Sequence, residues 1–359
     1  MSRKLLSYTA IGLILGSTAI ADVPKVAVDI APVHSLVARV MDGVGSPKLV
    51  IPAGASPHEY SLRPSEAKSL QDADMVIWIG EDLAPWMENS IETLSKNAEV
   101  ITLLKESETK LLEFREGALF EEHDHGDHDD HDDHDKDHDD HDDHDDHDKD
   151  HDDHDDHDDH DDHDDHDDHD EHDDHDEHDD HGDHDDHAHG EHDPHAWLSI
   201  ENAQTWLNLV AGKLSAADPD NAGVYFANAA AAREEINDLV KDVNSILEPV
   251  RGRNFVVFHD AYQYFETSFN FPAAGAISLG DATDPSAARI AEIQGRVKDE
   301  GINCVLSEPQ YNANLVATVL SGTDAKTGVI DPLGLGLEPG PKLYGDLIRN
   351  MAKSLAGCL

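Results

Sequence analysis

The sequence has few basic side chains and few cysteines. Of its 359 residues, 25 are Lys or Arg against 79 Asp or Glu, which gives a formal charge of −54. Because proteins bind nucleic-acid phosphates through a basic face, this balance argues against a nucleic-acid partner. Long apolar runs are also missing, and only a short N-terminal stretch could enter a bilayer. Neither Cys304 nor Cys358 belongs to a C-x-x-C zinc spacing.

The negative charge is concentrated in one segment. Residues 121–193 contain 43 Asp and Glu and only two Lys, a local charge of −41, and the other residues together carry −13. The segment also holds 24 of the 28 histidines, which leaves His34, His58, His195 and His259 elsewhere. Spread over one compact fold, the total charge would cause strong self-repulsion. The pattern therefore indicates an acidic insertion in a mildly acidic body.

The first 21 residues have the pattern of an export signal. Arg3 and Lys4 precede an apolar stretch that runs to about Leu15, and Ala19 and Ala21 form a small-x-small cleavage site. The pattern predicts a mature chain that begins at Asp22. An uncleaved membrane anchor is the alternative, although the apolar run is short for a span of about 20 residues.

Export to an oxidising compartment changes the interpretation of the two cysteines. Cys304 and Cys358 can form one disulfide there, which would tie the chain's end to an interior strand. Two free, buried thiols are the alternative.

The body is predicted to be an α/β protein with two lobes. Short apolar runs alternate with amphipathic stretches in both halves, which is typical of βα units and mostly parallel sheets. We expect an N-terminal lobe over 22–217, interrupted by the insertion at 121–193, and a C-terminal lobe over 251–359. Between them, residues 218–250 are predicted to form one long, rigid connecting helix that opens with Pro219 at its first position. Two shorter helices joined at Gly223 or Asn228 are the alternative.

The insertion is close to a repeat of His-Asp-Asp from His128 to His187. It lacks the apolar side chains that would offset the entropy of ordering, so we expect it to be disordered without metal. Its imidazoles are good ligands for Zn, Cu and Ni, and two or more triplets could close around one ion. The neighbouring carboxylates should raise the histidine pKa values, so acid would displace the metal. A solvated linker is the alternative.

Three of the remaining histidines occupy positions typical of ligand-binding groups. His58 lies on a predicted loop after a strand, His195 just before a helix, and His259 at the end of a buried strand. In α/β folds such positions border the ligand crevice. Each taken singly fits an ordinary structural histidine, but three together favour a metal site. His34 follows the first strand, and we interpret it as a structural or entrance residue.

Five segments carry a resemblance to a known family. They are residues 58–65 (HEYSLRPS), 195–199 (HAWLS), 256–262 (VVFHDAY), 307–310 (SEPQ) and 330–334 (IDPLG). The chain resembles the periplasmic, metal-specific solute-binding proteins of ABC importers, and among them the zinc-uptake branch. A charged, His-rich insertion before the second histidine is also typical of that branch.

The resemblance implies a location, a ligand and partners. It implies a periplasmic monomer that binds Zn²⁺ as transported ligand between two lobes and delivers it to a membrane permease with its ATPase. It assigns His58, His195 and His259 as ligands, and a disulfide between Cys304 and Cys358 fits its pattern. Three neutral imidazoles suit zinc, whereas manganese prefers more oxygen donors.

The fourth ligand stays open. Asp331 matches an aspartate that ligates metal in some relatives, whereas other zinc members use a Glu immediately before the first histidine, where this chain has Pro57. Water or a histidine of the insertion could also complete a tetrahedral site.

Three other functions compete with zinc delivery. A manganese or iron solute-binding protein would share the fold, and a storage or buffering protein would use the insertion as its functional part. Three histidines and a water are also the arrangement of a catalytic zinc. We do not expect an enzyme, because no further residue presents itself as a general base.

Overall fold

The computed structural model describes residues 23–115, 192–278, 286–311 and 313–359. These residues form two parallel sheets of four strands each, which confirms the predicted α/β fold with two lobes. The predicted signal peptide at 1–21 lies outside the described residues, as does the insertion at 121–193 except for His192 and Asp193. The predicted lobe boundaries at residues 217 and 250 stay predictions.

The first sheet has the strand order β2-β1-β3-β4. Its strands β1 and β3 are buried along their whole length, as expected for continuous apolar runs in a parallel sheet. Each of its three helices has a proline in its first turn, where the missing N–H costs no hydrogen bond. The elements of this lobe are β1 (Val26–Val28), α1 (Ala31–Val40), β2 (Lys48–Leu49), α2 (Pro64–Gln71), β3 (Met75–Trp78), α3 (Pro85–Leu94) and β4 (Glu99–Thr102).

Two longer helices follow the insertion. In α4 (Ile200–Ala217) the side chain of Ser199 accepts a hydrogen bond from the backbone of Asn202 and caps the helix. A short 3₁₀ turn then leads into α5 (Ala222–Leu247), which has 26 residues and is therefore about 39 Å long. Because α5 continues without a break, the alternative of two shorter helices is wrong. Its buried side chains recur at intervals of three and four, and that face packs against α1, α4 and α9 (Leu343–Cys358).

The second sheet has the strand order β6-β5-β7-β8. Its central strands β5 and β7 are wholly buried, whereas the edge strand β8 is mostly exposed. The elements of this lobe are β5 (Phe255–His259), α6 (Gln263–Phe269), β6 (Gly275–Ser278), α7 (Ala287–Asp299), β7 (Cys304–Ser307), α8 (Ala313–Val319), β8 (Lys326–Val329) and α9.

A disulfide fastens α9 to the second sheet. Cys304 in β7 and Cys358 at the end of α9 are bonded, with their Cα atoms 5.8 Å apart. Helix α9 approaches this closely because β8 has Gly328 at the contact, where a Cβ would lie 2.9 Å from Leu306 and 3.1 Å from Cys358. In the chain-entropy model a bridge across 54 residues stabilises the fold by about 4 kcal/mol. The predicted disulfide is confirmed.

The two lobes share one hydrophobic core. A single cluster of buried side chains continues from the first sheet through α4, α5 and α9 to the inner face of the second sheet. A smaller cluster fills the space between the outer face of the second sheet and the helices α7 and α8. Within the described ranges, no helix combines the length and apolarity needed to cross a membrane.

Candidate metal centre

Three histidines from three separate elements converge at one point. His58, His195 and His259 each offer a ring nitrogen, and these atoms all lie within 4.8 Å of one another. The ring of His195 lies between the other two, with centroid distances of 5.5 Å to His58 and 5.3 Å to His259. Bonds of 2.0–2.1 Å from tetrahedral zinc to nitrogen place two ligand nitrogens about 3.4 Å apart, so a small adjustment would bring all three to one ion.

Elements of both lobes hold the three histidines in position. His259 is the last residue of β5, at the carboxyl edge of the second sheet. His195 immediately precedes a 3₁₀ turn at Ala196–Leu198, and His58 lies on the loop between β2 and α2. His195 and His259 are 2% and 3% exposed, whereas His58 is half-buried. The three histidines therefore meet in a crevice that includes the carboxyl edge of the second sheet.

Two buried carboxylates orient two of the rings. Oδ1 of Asp193 lies 2.7 Å from Nδ1 of His195, and Oε1 of Glu308 lies 2.5 Å from Nδ1 of His259. A carboxylate at Nδ1 favours the tautomer with its proton there, which leaves the Nε2 lone pair for a metal. Asp193 also accepts the backbone N–H of His195 at 2.9 Å. Sequence reasoning did not assign these roles, although both residues stand within or beside segments that carry the resemblance.

The surrounding loops are fixed by tryptophan and glutamine side chains. Nε1 of Trp86 donates to the Pro57 carbonyl at 2.8 Å, next to His58. Nε1 of Trp197 donates to the Pro332 carbonyl at 2.9 Å, which joins the His195 segment to the loop after β8. Gln310 contacts both lobes through the Ala53 carbonyl and Asp331. The cluster therefore lies in a cavity whose walls come from both lobes.

Asp331 lies near this cavity but does not belong to the group of three. Its Oδ1 accepts hydrogen bonds from the Gln310 side chain and the Leu333 backbone, both at 3.0 Å, and its Oδ2 accepts from the Leu335 backbone. The carboxylate is thus engaged in holding the loop that follows β8. Its role as fourth ligand stays a prediction.

His34 lies elsewhere, in α1. Its side chain is 7% exposed, and its Nε2 lies 3.2 Å from the Pro47 carbonyl. Burial lowers the pKa of His34 below its ordinary value. It therefore fastens α1 to the segment before β2 and is not part of the cluster.

Burial also raises the pKa values of two side chains that follow strands, Asp29 and Tyr262. At the end of β1, burial raises the pKa of Asp29 to about 7, against the opposing effect of hydrogen bonds from the Ile79 and Ile30 backbones. Beside the cluster, burial and the charge of Glu308 raise the pKa of Tyr262 well above its ordinary value. Tyr262 is therefore a neutral phenol.

Residues 26–358 match the model of the family described as "ZnuA: Zinc-uptake complex component A periplasmic". The chain belongs to this family. It is 44% identical over 349 residues to the high-affinity zinc uptake system protein ZnuA of Paracoccus denitrificans, covering 96% of this chain and 95% of that one. It is 43% identical over 344 residues to the protein of the same name from Brucella abortus, covering 96% and 94%.

A solved structure confirms the fold. The crystal structure of a ZnuA matches with a TM-score of 0.65 and 18% identity, covering 94% of this chain and 99% of that one. At this identity the likeness concerns the fold alone. The family is periplasmic and serves zinc uptake, which agrees with the resemblance inferred from the five sequence segments.

Proposed function

We propose that this protein captures Zn²⁺ at His58, His195 and His259 in the periplasm and delivers it to an ABC permease with a separate ATPase. The convergence of three imidazoles from different elements carries the proposal. Neutral imidazoles suit zinc, and the carboxylates of Asp193 and Glu308 add the outer hydrogen bonds that zinc-bound histidines normally have. The fourth donor would be Asp331, a water or a histidine of the insertion.

The remaining parts of the proposal concern export and assembly. We propose that residues 1–21 direct export and are then removed, and that the protein acts as a monomer. The membership in a periplasmic zinc-uptake family supports the location.

A zinc titration of the full chain against a competing chelator tests the metal site. We expect one tightly bound ion per chain that excess Mn²⁺ does not displace, and a larger number of weakly bound ions. His259→Ala should abolish the tight class. His34→Gln is the matched control, because its amide can still donate to Pro47 and it lies outside the cluster. A tight class that persists in His259→Ala would contradict the proposal.

A catalytic zinc is the competing interpretation of the same three histidines. A metal-bound water would have a pKa near 7 and could attack esters or CO₂. Turnover of such substrates at physiological pH, abolished by His259→Ala, would replace binding with catalysis as the function.

A further inference from the structure

Two described segments border the residues 116–191 that the structure does not describe, and they contact each other. We define the insertion root as residues 111–115 and 192–194. Glu113 and His192 pair as an isolated antiparallel bridge, and the Asp193 backbone donates to the Leu112 carbonyl at 2.9 Å. The root therefore brings residues 112–113 and 192–193 side by side, directly before His195 in the chain.

The insertion root is bonded to α6 of the C-terminal lobe. The Tyr264 hydroxyl accepts from the Leu112 backbone at 2.9 Å and donates to the Asp193 carbonyl at 3.0 Å. The Gln263 side chain is oriented with its amide nitrogen towards two acceptors. This nitrogen donates to the Glu113 carbonyl and to Oδ2 of Asp193, each at 3.1 Å. One oxygen of Asp193 thus faces His195, and the other faces α6.

Arg115 links the root to that lobe through two ion pairs. Its guanidinium donates through Nε at 2.9 Å and through Nη2 to the two carboxylate oxygens of Asp260, the residue after His259. It also donates through Nη1 at 2.8 Å and Nη2 at 3.1 Å to Glu266 in α6. Both carboxylate side chains are 6% exposed and that of Arg115 is 16% exposed. Without the Arg115 guanidinium, the buried carboxylates of Asp260 and Glu266 would lose this positive partner, and an uncompensated buried charge is strongly destabilising.

These contacts join the supports of two histidines that belong to different lobes. Asp193 in the root orients His195, and Arg115 in the root holds Asp260 directly beside His259. We infer that Arg115 is a positioning residue for the metal centre, because its bonds to Asp260 and Glu266 set His259 relative to His195. This inference rests on the proposed function, since it concerns the same three histidines.

The test compares Arg115→Gln with Arg39→Gln in the full chain. Arg39 is a matched control: its side chain is also 16% exposed and forms a two-bonded pair with Glu235, but it joins α1 to α5 away from the cluster. Outer-shell substitutions typically weaken metal binding about 10–100-fold, and we expect that loss of tight-class Zn²⁺ affinity in Arg115→Gln. Arg39→Gln should stay within about twofold of wild type. Arg115→Lys should be intermediate, because an ammonium keeps the charge without the planar fork.

A spectroscopic measurement separates positioning from loss of fold. One equivalent of Co²⁺ reports the geometry of the tight site through its visible absorption, which should change in Arg115→Gln and not in Arg39→Gln. If Arg115→Gln fails to fold, Arg115→Gln/Asp260→Asn removes one uncompensated carboxylate and should fold with the same loss of affinity. A folded Arg115 variant with affinity within about threefold of wild type and an unchanged Co²⁺ spectrum would overturn the inference.

The two proposals fail differently. If wild type lacks a tight zinc class, or His259→Ala keeps it, the proposed function fails. If wild type and His259→Ala behave as expected but Arg115→Gln behaves like Arg39→Gln, the positioning role of Arg115 alone fails.

Discussion

The acidic insertion and the three-histidine cluster both contain histidines, but the sequence surroundings of these histidines differ. Between His123 and His192 there are 24 histidines, and each repeat offers nearly the same neighbours, an imidazole followed by two carboxylates. In the cluster, each histidine comes from a different element, and His195 and His259 each face their own buried carboxylate. The repeat therefore predicts many equivalent sites, whereas the cluster predicts one.

Selectivity follows from this difference. A repeat of near-identical ligand sets specifies no single coordination geometry, so we expect its affinity to depend mostly on ligand type and charge. A site whose rings are held by fixed partners imposes its own coordination number and donor atoms. Under the proposed function, we therefore expect the insertion to supply capacity and the cluster to discriminate zinc from manganese.

Removal of residues 123–187 should have the largest effect on the number of bound ions. If two triplets hold one ion, the insertion binds roughly ten, and the deletion should remove nearly all weakly bound zinc. The deletion keeps Glu113, His192 and Asp193, so the tight site should survive with its affinity within a few-fold of wild type. Calorimetry with Zn²⁺, repeated with Mn²⁺ as competitor, measures both quantities. Loss of the tight class in this variant would assign that class to the insertion and reverse the comparison.

Neutral replacement of the orienting carboxylates should weaken the tight site alone. Asp193→Asn and Glu308→Gln keep the shape of each side chain but remove the charge that favours a proton on Nδ1. Each should cost about 10–100-fold in zinc affinity, or roughly 1.4–2.7 kcal/mol. Chelator competition gives the tight affinity, and the number of weakly bound ions should not change.

The control for these variants is Glu235→Gln, which neutralises an exposed carboxylate on α5. It should leave the tight affinity unchanged. An equal loss in Glu235→Gln and in Glu308→Gln would mean that net charge, rather than ring orientation, sets the affinity.

Local pattern was enough to predict the sheets, the long helix and the three converging histidines. Buried parallel strands are continuous apolar runs, and the carboxyl ends of such strands share an edge, so His259 and the loop of His58 could be placed without a structure. The disulfide was predicted from the expected export to an oxidising compartment. In the structure, Gly328 allows α9 to approach closely enough for this bond.

Asp193 lies only two residues before His195, but the contacts of Glu308 and Arg115 could not be predicted, because they depend on tertiary register. Glu308 lies 49 residues from His259 and reaches it because β5 and β7 are neighbours in the sheet and both chains leave at the same edge. Arg115 lies 145 residues from Asp260, across the whole insertion. No local spacing connects such pairs, and an isolated Glu or Arg on a loop is most often simply solvated.

Acidification should empty the insertion before the cluster. Protons compete with metal for imidazole, and the more weakly a site binds, the higher the pH at which its metal leaves. The carboxylates of the insertion should also raise the pKa of its histidines, which favours early release. A zinc-loaded sample dialysed at successively lower pH should first lose the many weak ions and then the single tight ion. Simultaneous release would mean that the two classes have similar affinities.

The smallest expected effect is a change in the pH dependence of stability, and it comes from His34, which lies outside the cluster. Burial lowers the pKa of His34 in the folded protein, so on acidification the unfolded chain takes up this proton first. The unfolded state then binds more protons, and stability falls as pH drops below about 6.5 towards the lowered pKa of the folded state. His34→Gln should remove this part of the pH dependence, at a cost of about 1 kcal/mol in stability at pH 7.5.

Denaturant unfolding of the metal-free protein at pH 7.5 and at pH 5.5 measures this difference. The free energy of unfolding should fall less between the two pH values in His34→Gln than in wild type, while the affinity of the tight zinc site stays the same in both. A change of zinc affinity in His34→Gln would show that a fourth body histidine acts on the site. The zinc affinity of the cluster would then depend on more than its three ligands and their hydrogen-bond partners, because the His34 imidazole in α1 would also influence it.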